Sequence, residues 1–263
     1  MTRSGLPALL LAALCAAALL PVPAAEAHWH PRPTTAAWQW QLQGKIDLSV
    51  AAGVYEVDGF EVPAKTVAAL HRRGRRAICY LDVGSWERYR PDANRFPKTV
   101  LGRTYEGYPD ERWLDVRRID LLAPILRSRF DRCRRKGFDA VEPDNVAGYE
   151  NETGFPLTAD DQLRFNRWVA REVHRRGMAV ALKNDPAQVG PLVGRFDFAV
   201  VEECFAYREC GRFSPFVAAG KAVFVAEYSE AAAAICDQAE RLRFSVIGKD
   251  YDLFARPWEP CFG

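Results

Sequence analysis

Eight short apolar runs recur along the chain, and each is typical of a strand buried on both faces of a parallel sheet. Most of the runs are rich in Val, Ala, Ile and aromatic residues. They predict strands over residues 38–42, 53–57, 76–83, 138–144, 178–183, 196–202, 221–227 and 244–249.

Between these runs the apolar residues follow a helical period. This pattern predicts helices over 63–73, 119–136, 159–176 and 231–242. Local signals mark several ends: Thr158 is placed to cap the third helix, with Asp161 three residues later. Gly74, Gly137 and Gly177 directly follow predicted helices, where a left-handed turn is common.

Strands that alternate with helices through short links indicate a parallel α/β fold. The length of 263 residues fits either two small domains or one (β/α)8 TIM barrel of about 250 residues. No linker divides the chain, and eight strands favour a closed barrel over an open sheet. We therefore predict one barrel over 37–263, preceded by a Pro- and Thr-rich flexible leader over 28–36. An irregular seam is expected, because no clear helix follows the first strand or the last.

The N-terminal residues 1–27 have the pattern of a secretory signal peptide. Arg3 supplies the positive region, 6–20 is apolar, and Ala25-Glu26-Ala27 is a small-x-small cleavage site. A membrane anchor is the alternative, but the apolar run is too short to span a bilayer. The sequence predicts a secreted protein, cleaved after Ala27 and no longer attached to a membrane.

Six cysteines remain after cleavage, an even number that indicates three disulfides in an oxidising compartment. Six cysteines allow 15 connectivities. Proximity along the chain and the expected positions of strand and helix favour three pairs: Cys204 with Cys210, Cys79 with Cys133, and Cys236 with Cys261.

The formal net charge is only +2. The Lys and Arg clusters fall in helical stretches, where they are typical of the solvent-exposed face of a helix. No nucleic-acid partner is expected. The chain lacks a Cys-x-x-Cys pair and a Gly-rich phosphate loop, and His71 and His174 lie on helices away from strand ends. We therefore expect no metal and no cofactor. A monomer is expected.

Acidic residues end most of the predicted strands, and a barrel forms its active site at the C-terminal ends of its strands. Side-chain alternation selects among them. In the fourth strand Asp144 shares a face with Ala140, and in the sixth Glu202 shares a face with Phe198. If these faces point to the barrel axis, Asp144 and Glu202 form a catalytic carboxylate pair in one mouth.

Paired carboxylates with aromatic neighbours suit hydrolysis of a glycosidic bond, since one protonates the leaving oxygen and the other attacks the anomeric carbon or activates water. Core packing is the alternative role for the aromatic residues. The predicted substrate-binding residues are Trp40, Tyr55, Asp58, Tyr80, Asp82, Glu142, Asn145, Tyr149, Lys183, Asn184, Tyr207 and Glu227.

Several motifs in order carry a resemblance through almost the whole mature chain. They begin with 38–42 (WQWQL) and 54–60 (VYEVDGF), then 79–87 (CYLDVGSWE) and 137–145 (GFDAVEPDN). The segments 182–184 (LKN) and 201–204 (VEEC), with Tyr207 and Cys210, complete the set. With these motifs the chain resembles glycoside hydrolase family 114, the endo-α-1,4-polygalactosaminidases.

The resemblance implies a barrel that hydrolyses α-1,4-linked galactosamine polymers, with Asp144 as nucleophile and Glu202 as acid/base in a retaining mechanism. An acidic mouth with Asp58, Asp82, Glu142 and Glu227 would suit the free ammonium groups of such a polysaccharide partner. Two alternatives stay open: the same fold acting on another α-linked polysaccharide, and a carbohydrate-binding barrel without turnover. Both catalytic acids are present, which disfavours the second.

Overall fold

The computed structural model describes residues 1–2, 28–229 and 232–262, so nearly all of the expected signal peptide lies outside the described residues. Twelve strands fall in the described ranges: β1 (Trp38–Gln41), β2 (Val54–Asp58), β3 (Arg76–Asp82), β4 (Ser85–Glu87), β5 (Leu101–Tyr105), β6 (Tyr108–Leu114), β7 (Ala140–Asp144), β8 (Ala179–Lys183), β9 (Phe198–Glu202), β10 (Val223–Glu227), β11 (Ser245–Gly248) and β12 (Glu259–Pro260). The helices are α1 (Ala64–His71), α2 (Ile119–Lys136), α3 (Ala159–His174), α4 (Val189–Leu192), α5 (Ser214–Ala218) and α6 (Ala232–Leu242).

Nine strands form one sheet in the order β1-β2-β3-β7-β8-β9-β10-β11-β12. Neighbouring strands from β1 to β11 run parallel, and β12 pairs antiparallel with β11. The eight parallel strands are those predicted from the apolar runs. The (β/α)8 barrel is confirmed. Below, "mouth" denotes the C-terminal ends of these strands and "base" their N-terminal ends.

The seam lies between β1 and the last strands, where the sheet order ends without a ladder among the described residues. Loop and side-chain hydrogen bonds bridge it instead. The amides of Leu42 and Gln43 donate to the carbonyl of Leu253 at 2.9 and 3.2 Å, and Trp258 Nε1 donates to the carbonyl of Trp38 at 2.8 Å. The irregular seam expected from the sequence is therefore present.

Side-chain alternation divides the apolar core into two layers. One layer lies between the strands and the surrounding helices, and it includes Cys79, Val141 and Val201. The other fills the barrel interior. It comprises Trp38, Trp40, Ile78, Ala140, Ala179, Ala181, Phe198, Val200, Phe224, Ala226 and Ile247. A fully buried Phe or Ile contributes about 1.5–3 kcal/mol to stability, so the inner layer stabilises the closed barrel beneath the mouth.

The helix ends match their local signals. Thr158 and Asp161 form a reciprocal capping box at the start of α3, which satisfies amides that have no partner inside the helix. Gly137 ends α2 with a φ of 88°, in the left-handed region that favours glycine. Within the described residues, no helix combines the length and the apolar character needed to cross a membrane.

The sequence did not predict the antiparallel sheet β4-β6-β5, inserted between β3 and α2. Its hairpin turns at Gly107, where φ is 82°. Most residues of β5 and β6 are at least partly exposed, so these strands carry polar residues and lack an apolar run. Periodicity therefore gave no signal for a sheet that lies outside the barrel core.

Three disulfides join the predicted partners. Cys79 on the outer face of β3 pairs with Cys133 on α2, with 6.0 Å between their Cα atoms. Cys204 and Cys210 close a short loop after β9, and Cys236 ties α6 to Cys261 in the C-terminal tail. All three pairings predicted from the sequence are confirmed.

Residues 28–36, expected as a flexible leader, lie against the base of the barrel. The ring of Trp29 lies 5.6 Å from the ring of Phe198 in the inner core. The amide of Ala222 donates to the carbonyl of Pro31 at 3.0 Å. These contacts place the leader across the N-terminal ends of β9 and β10.

Candidate active site

A buried lysine lies at the centre of the mouth. Lys183, the last residue of β8, has its Nζ 2.9 Å from Asp144 Oδ1, 2.9 Å from Glu202 Oε2 and 3.4 Å from Glu142 Oε1. The same Nζ lies 5.0 Å from the ring centroid of Trp40, within range of a cation–π contact. Burial would lower the pKa of Lys183, but the three carboxylates outweigh it and raise that pKa well above its usual value. The lysine therefore carries a fixed positive charge.

Asp144 at the end of β7 is held by donors on several sides. Lys183 contacts Oδ1, the amide of Asn145 donates to Oδ1 at 2.8 Å, and Tyr80 Oη donates to Oδ2 at 3.0 Å. Burial raises the pKa of Asp144, whereas the Lys183 charge and these hydrogen bonds lower it. The net result is a pKa below the usual value. Asp144 is therefore a carboxylate at neutral pH.

Glu202 at the end of β9 faces Asp144 across Lys183. Tyr228 Oη donates to Glu202 Oε1 at 2.6 Å, and Asn184 Nδ2 donates to Oε2 at 3.3 Å. Asn184 Oδ1 also accepts from the backbone amide of Glu202 at 2.9 Å. Because each carboxylate oxygen is 2.9 Å from Lys183 Nζ, Asp144 Oδ1 and Glu202 Oε2 are at most twice that distance apart, about 5.8 Å.

The backbone turns sharply after each of these three charged residues. Asn145, Asn184 and Glu203 have φ values of 62°, 47° and 54°, in the left-handed region. Asn adopts this region more readily than most residues, and Glu does so rarely. The turns end β7, β8 and β9 directly behind Asp144, Lys183 and Glu202. Local strain of this kind is common where a fold fixes functional side chains.

Two further glutamates lie beneath the lysine, inside the barrel. Glu142 and Glu56 are both fully buried. Burial raises the pKa of Glu142 to about 8 despite the opposing charge of Lys183. Burial and the nearby Glu142 raise the pKa of Glu56 well above its usual value. These residues therefore form a largely protonated floor, and the sequence did not single out Glu56.

Asp82 anchors the loop that carries Asn145. Its Oδ1 accepts from the amides of Gly84 and Ser85 at 3.1 and 2.6 Å, and its Oδ2 accepts from Asn145 Nδ2 at 2.6 Å. A Cβ at Gly84 would lie 1.7 Å from the carbonyl oxygen of Asn145, so only glycine fits there. Asp82 thus positions the residue after Asp144 and does not itself line the cavity.

The mouth opens into a cavity of about 790 Å³. Among the predicted residues, Trp40, Asp58, Tyr80, Asn145, Lys183 and Asn184 line it together with Asp144 and Glu202. Asp58 lies at its edge, where Oδ2 is 2.8 Å from Arg90 Nη2. The structure thus brings both predicted catalytic acids and half of the predicted binding residues into one cavity.

Four predicted binding residues lie away from the wall of this cavity. Tyr55 alternates to the outer face of β2, where its hydroxyl donates to the carbonyl of Val50. Glu227 alternates outward on β10, and its carboxylate accepts from the amides of Phe205 and Ala206.

The other two are tyrosines on loops. Tyr149 donates from its hydroxyl to Asp185 Oδ1 at 3.2 Å and is absent from the cavity wall. Tyr207 is 69% exposed on the loop closed by the Cys204–Cys210 disulfide. With Asp82 and Glu142 buried beneath the cavity surface, six of the twelve predicted binding residues do not line it.

Sequence reasoning missed the residues that come from outside the eight strand ends. Tyr105, Tyr108, Glu111 and Trp113 reach the cavity from β5 and β6. The turns after β10 and β11 and the loop after β2 add Tyr228, Tyr251, Asp252 and Glu61. The aromatic spacing in 105–113 was the available signal. Burial and then Glu87 raise the pKa of Glu111 to about 7.

Comparison with known proteins supports both the fold and the chemistry. The sequence profile of glycoside-hydrolase family GH114 matches residues 19–261. The crystal structure of Aspergillus fumigatus Ega3 in complex with galactosamine is similar at a TM-score of 0.82 and 35% identity, over 87% of this chain and 96% of that chain. A search of curated proteins gives no match.

Two more distant structures share the fold alone. The glycoside hydrolase domain of PelA from Pseudomonas aeruginosa has a TM-score of 0.65 and 13% identity, over 84% of this chain and 96% of that one. An α-galactosidase from Thermus thermophilus has a TM-score of 0.53 and 13% identity, over 84% of this chain and 58% of that one.

Proposed function

The chain belongs to glycoside-hydrolase family GH114, and on that premise we propose that it is a secreted, retaining hydrolase of α-1,4-linked galactosamine-containing polysaccharide. Asp144 is the nucleophile and Glu202 the acid/base. The observation that carries this proposal is the shared lysine: Asp144 Oδ1 and Glu202 Oε2 each lie 2.9 Å from Lys183 Nζ. The two oxygens are therefore no more than about 5.8 Å apart, which brings the two carboxyl groups within reach of the 5–5.5 Å separation of a retaining pair.

The environments of the two acids support this division of roles. The lowered pKa of Asp144 keeps it ionised, as a nucleophile requires. Its carboxylate attacks the anomeric carbon while the glycosidic C–O bond breaks and Glu202 gives its proton to the leaving oxygen. Water then attacks the anomeric carbon, Glu202 takes the water proton, and the bond to Asp144 breaks. Glu202 has the more exposed side chain, 28% against 18% for Asp144, so water reaches it more easily.

The charge of the cavity supports a cationic sugar. Two basic residues, Arg90 and Lys183, line the cavity with six acids: Asp58, Glu61, Glu111, Asp144, Glu202 and Asp252. Arg90 is paired with Asp58 and Lys183 with the catalytic acids. Free ammonium groups of a galactosamine polymer would therefore meet net negative charge. The similar Ega3 structure contains galactosamine. The sequence-based hypothesis assigned the negative charge of the mouth to Asp58, Asp82, Glu142 and Glu227. Of these only Asp58 lines the cavity, and Glu61, Glu111 and Asp252 line it in place of the other three.

Secretion is supported by the signal-peptide pattern of 1–27 and by the three disulfides, since disulfides persist in oxidising compartments. Export of the full chain followed by N-terminal sequencing tests this part. We expect the first residue to be His28. Retention of the chain in the cytoplasm would contradict it.

The experiment for the activity is incubation with partly deacetylated galactosaminogalactan, with products followed by chromatography and by NMR of the anomeric proton. We expect the first product to retain the α configuration. Asp144→Asn and Glu202→Gln should each lower the rate by roughly 10³-fold or more. Glu203→Gln is the matched control, because Glu203 follows Glu202 and is absent from the cavity wall.

Each part of the proposal has its own contradicting result. An inverted product would exclude the retaining mechanism, and equal losses in Glu203→Gln and Glu202→Gln would exclude the site. Chemical N-acetylation of the polymer removes its ammonium groups and should weaken cleavage. Unchanged cleavage would exclude the charge argument. Faster hydrolysis of another α-linked polysaccharide would change the substrate class, and binding without products would indicate a carbohydrate-binding barrel.

A further inference from the structure

Three histidines converge on one aspartate at the base of the barrel, at the opposite end from the mouth. His28 Nε2 and His30 Nδ1 lie 3.1 and 3.3 Å from Asp197 Oδ1. His174 Nε2, at the end of α3, lies 2.7 Å from Asp197 Oδ2. The ligand atoms of His28, His174 and Asp197 all lie within 4.8 Å of one another. The proposed hydrolysis uses none of these four residues.

Two contacts hold the leader, with its two histidines, against the base of the barrel. Trp29 packs against Phe198, and the carbonyl of Pro31 accepts from the amide of Ala222. The contacts of 3.1 and 3.3 Å show that His28 and His30 both point toward Asp197. The rings of His28 and His174 stack with their centroids 4.7 Å apart.

A second His–Asp pair at the base, His71 with Asp139, serves as a comparison for His174 and Asp197. His71 Nε2 lies 2.8 Å from Asp139 Oδ2, and that oxygen accepts from the amide of Ala77 at 2.8 Å. The same arrangement joins His174 and Asp197 Oδ2, which accepts from the amide of Val180 at 2.9 Å.

The two carboxylates differ at the second oxygen. Arg76 Nη1 contacts Asp139 Oδ1 at 2.6 Å, whereas Ala179 stands at the corresponding position before Val180. At Asp197 the two leader imidazoles take the place of that permanent cation. A neutral imidazole offers a lone pair, which a guanidinium lacks.

We propose that His28, His30, His174 and Asp197 form a binding site for a divalent transition metal, with Zn²⁺ as the best fit. His28, His174 and Asp197 already bring together ligand types that Zn²⁺ prefers. His30, which contacts Asp197 Oδ1 at 3.3 Å, would supply the fourth ligand of the four-coordinate arrangement typical of a structural site. With bonds of about 2.0–2.1 Å, tetrahedral ligand atoms lie about 3.3 Å apart. The contacts to Asp197 Oδ1 match this spacing. The ion would supply the positive charge that Arg76 supplies to Asp139, and would tie the leader to α3.

Nearby basic residues do not block the site. Lys221 and Arg243 line the adjacent depression with His30 and Asp197. Lys221 Nζ donates to the carbonyls of Val193 and Phe196 at 2.6 and 2.5 Å, and burial lowers its pKa. Its ammonium group is thus already held by two backbone carbonyl oxygens.

The test is zinc binding by the metal-stripped chain, produced without a polyhistidine tag and titrated with ZnSO₄ against a chromophoric chelator. We expect one Zn²⁺ per chain. The paired change His28→Gln with His30→Gln alters only the leader, and His174→Gln alters the helix. Each should weaken binding by at least about 10–100-fold. His71→Gln is the matched control and should leave binding unchanged.

Thermal unfolding supplies a second readout that does not depend on activity. Zinc should raise Tm of the wild-type chain by several degrees, and EDTA should reverse the rise, because an ion that binds only the folded state stabilises it. The rise should persist in His71→Gln and disappear in the leader double variant. Less than stoichiometric zinc, or equal loss of binding in His71→Gln, would overturn the proposal. Circular dichroism establishes that each variant is folded.

Discussion

The two ends of the barrel hold clusters of ionisable residues of opposite composition, buried at the mouth and partly exposed at the base. At the mouth one lysine lies among the carboxylates of Asp144, Glu202 and Glu142. At the base one aspartate lies among three imidazoles. The pKa of Lys183 is raised, so the charge at the mouth is fixed and keeps Asp144 ionised. The imidazoles at the base carry lone pairs when neutral. The mouth therefore contains its own cation, Lys183, and the proposed function adds a cationic substrate, whereas the proposed site at the base would take its cation from solution.

Removing the cation from the mouth should have the largest effect on stability. Lys183→Met leaves the buried Asp144 carboxylate without the cation that keeps it ionised, and breaking a buried ion pair in this way costs about 3–5 kcal/mol. Urea unfolding at pH 7 measures the loss. It should shrink at pH 5, because burial without the lysine raises the pKa of Asp144 and lets it take up a proton. Lys249→Met is the control, because Lys249 is buried and donates to the carbonyl of Phe254. It should cost about 1 kcal/mol. Equal losses would contradict the role of the carboxylates.

Glu142 at the mouth should make the free energy of unfolding fall as the pH rises. Its folded pKa is raised above the unfolded value, so the proton it keeps stabilises the fold at acid pH. That contribution is lost as pH rises from about 4.5 to about 8. Glu142→Gln should flatten the fall in unfolding free energy across this window by up to about 5 kcal/mol. Urea unfolding between pH 4.5 and 9 measures it. An unchanged slope would show that Glu142 is ionised throughout.

Glu111 should tune substrate affinity at the mouth. Its pKa of about 7 means that it gains negative charge between pH 6 and 8. KM for a cationic polymer should therefore fall as pH rises through 7, by about threefold, the size expected for one partly screened charge. Glu111→Gln should remove that change and leave kcat nearly constant. Steady-state kinetics at fixed ionic strength measures it, and a KM that falls equally in the variant would exclude Glu111.

The smallest effect is expected at the base without metal. His174→Gln and His71→Gln each remove one partly exposed His–Asp pair, worth about 0.5–1 kcal/mol. In EDTA the two variants should lose equal stability by urea unfolding, and a difference should appear only after zinc is added. A larger loss for His174→Gln in EDTA would mean that its contacts stabilise the fold without an ion.

Local sequence patterns predicted much of the secondary structure of this molecule. Apolar runs located all eight barrel strands, and capping signals located the start of α3 at Thr158. Alternation within β7 and β9 placed Asp144 and Glu202 toward the axis. The same rule, applied consistently, would have turned Tyr55 and Glu227 outward. Their prediction as binding residues gave proximity to a strand end more weight than alternation, and both side chains point to the outer layer.

The sequence by itself determined the barrel and which end carries the acids, since strand period, helix caps and their order along the chain are local properties. It favoured the three disulfide pairs among 15 connectivities, and the structure shows them. Only the tertiary structure decided which side chains meet. Tyr228 reaches Glu202 from the next strand, Tyr105 reaches the cavity from an inserted sheet, and His28 reaches Asp197 across 169 positions. Such contacts depend on closure of the barrel and on loop packing, and neither produces a periodic pattern in the amino-acid sequence.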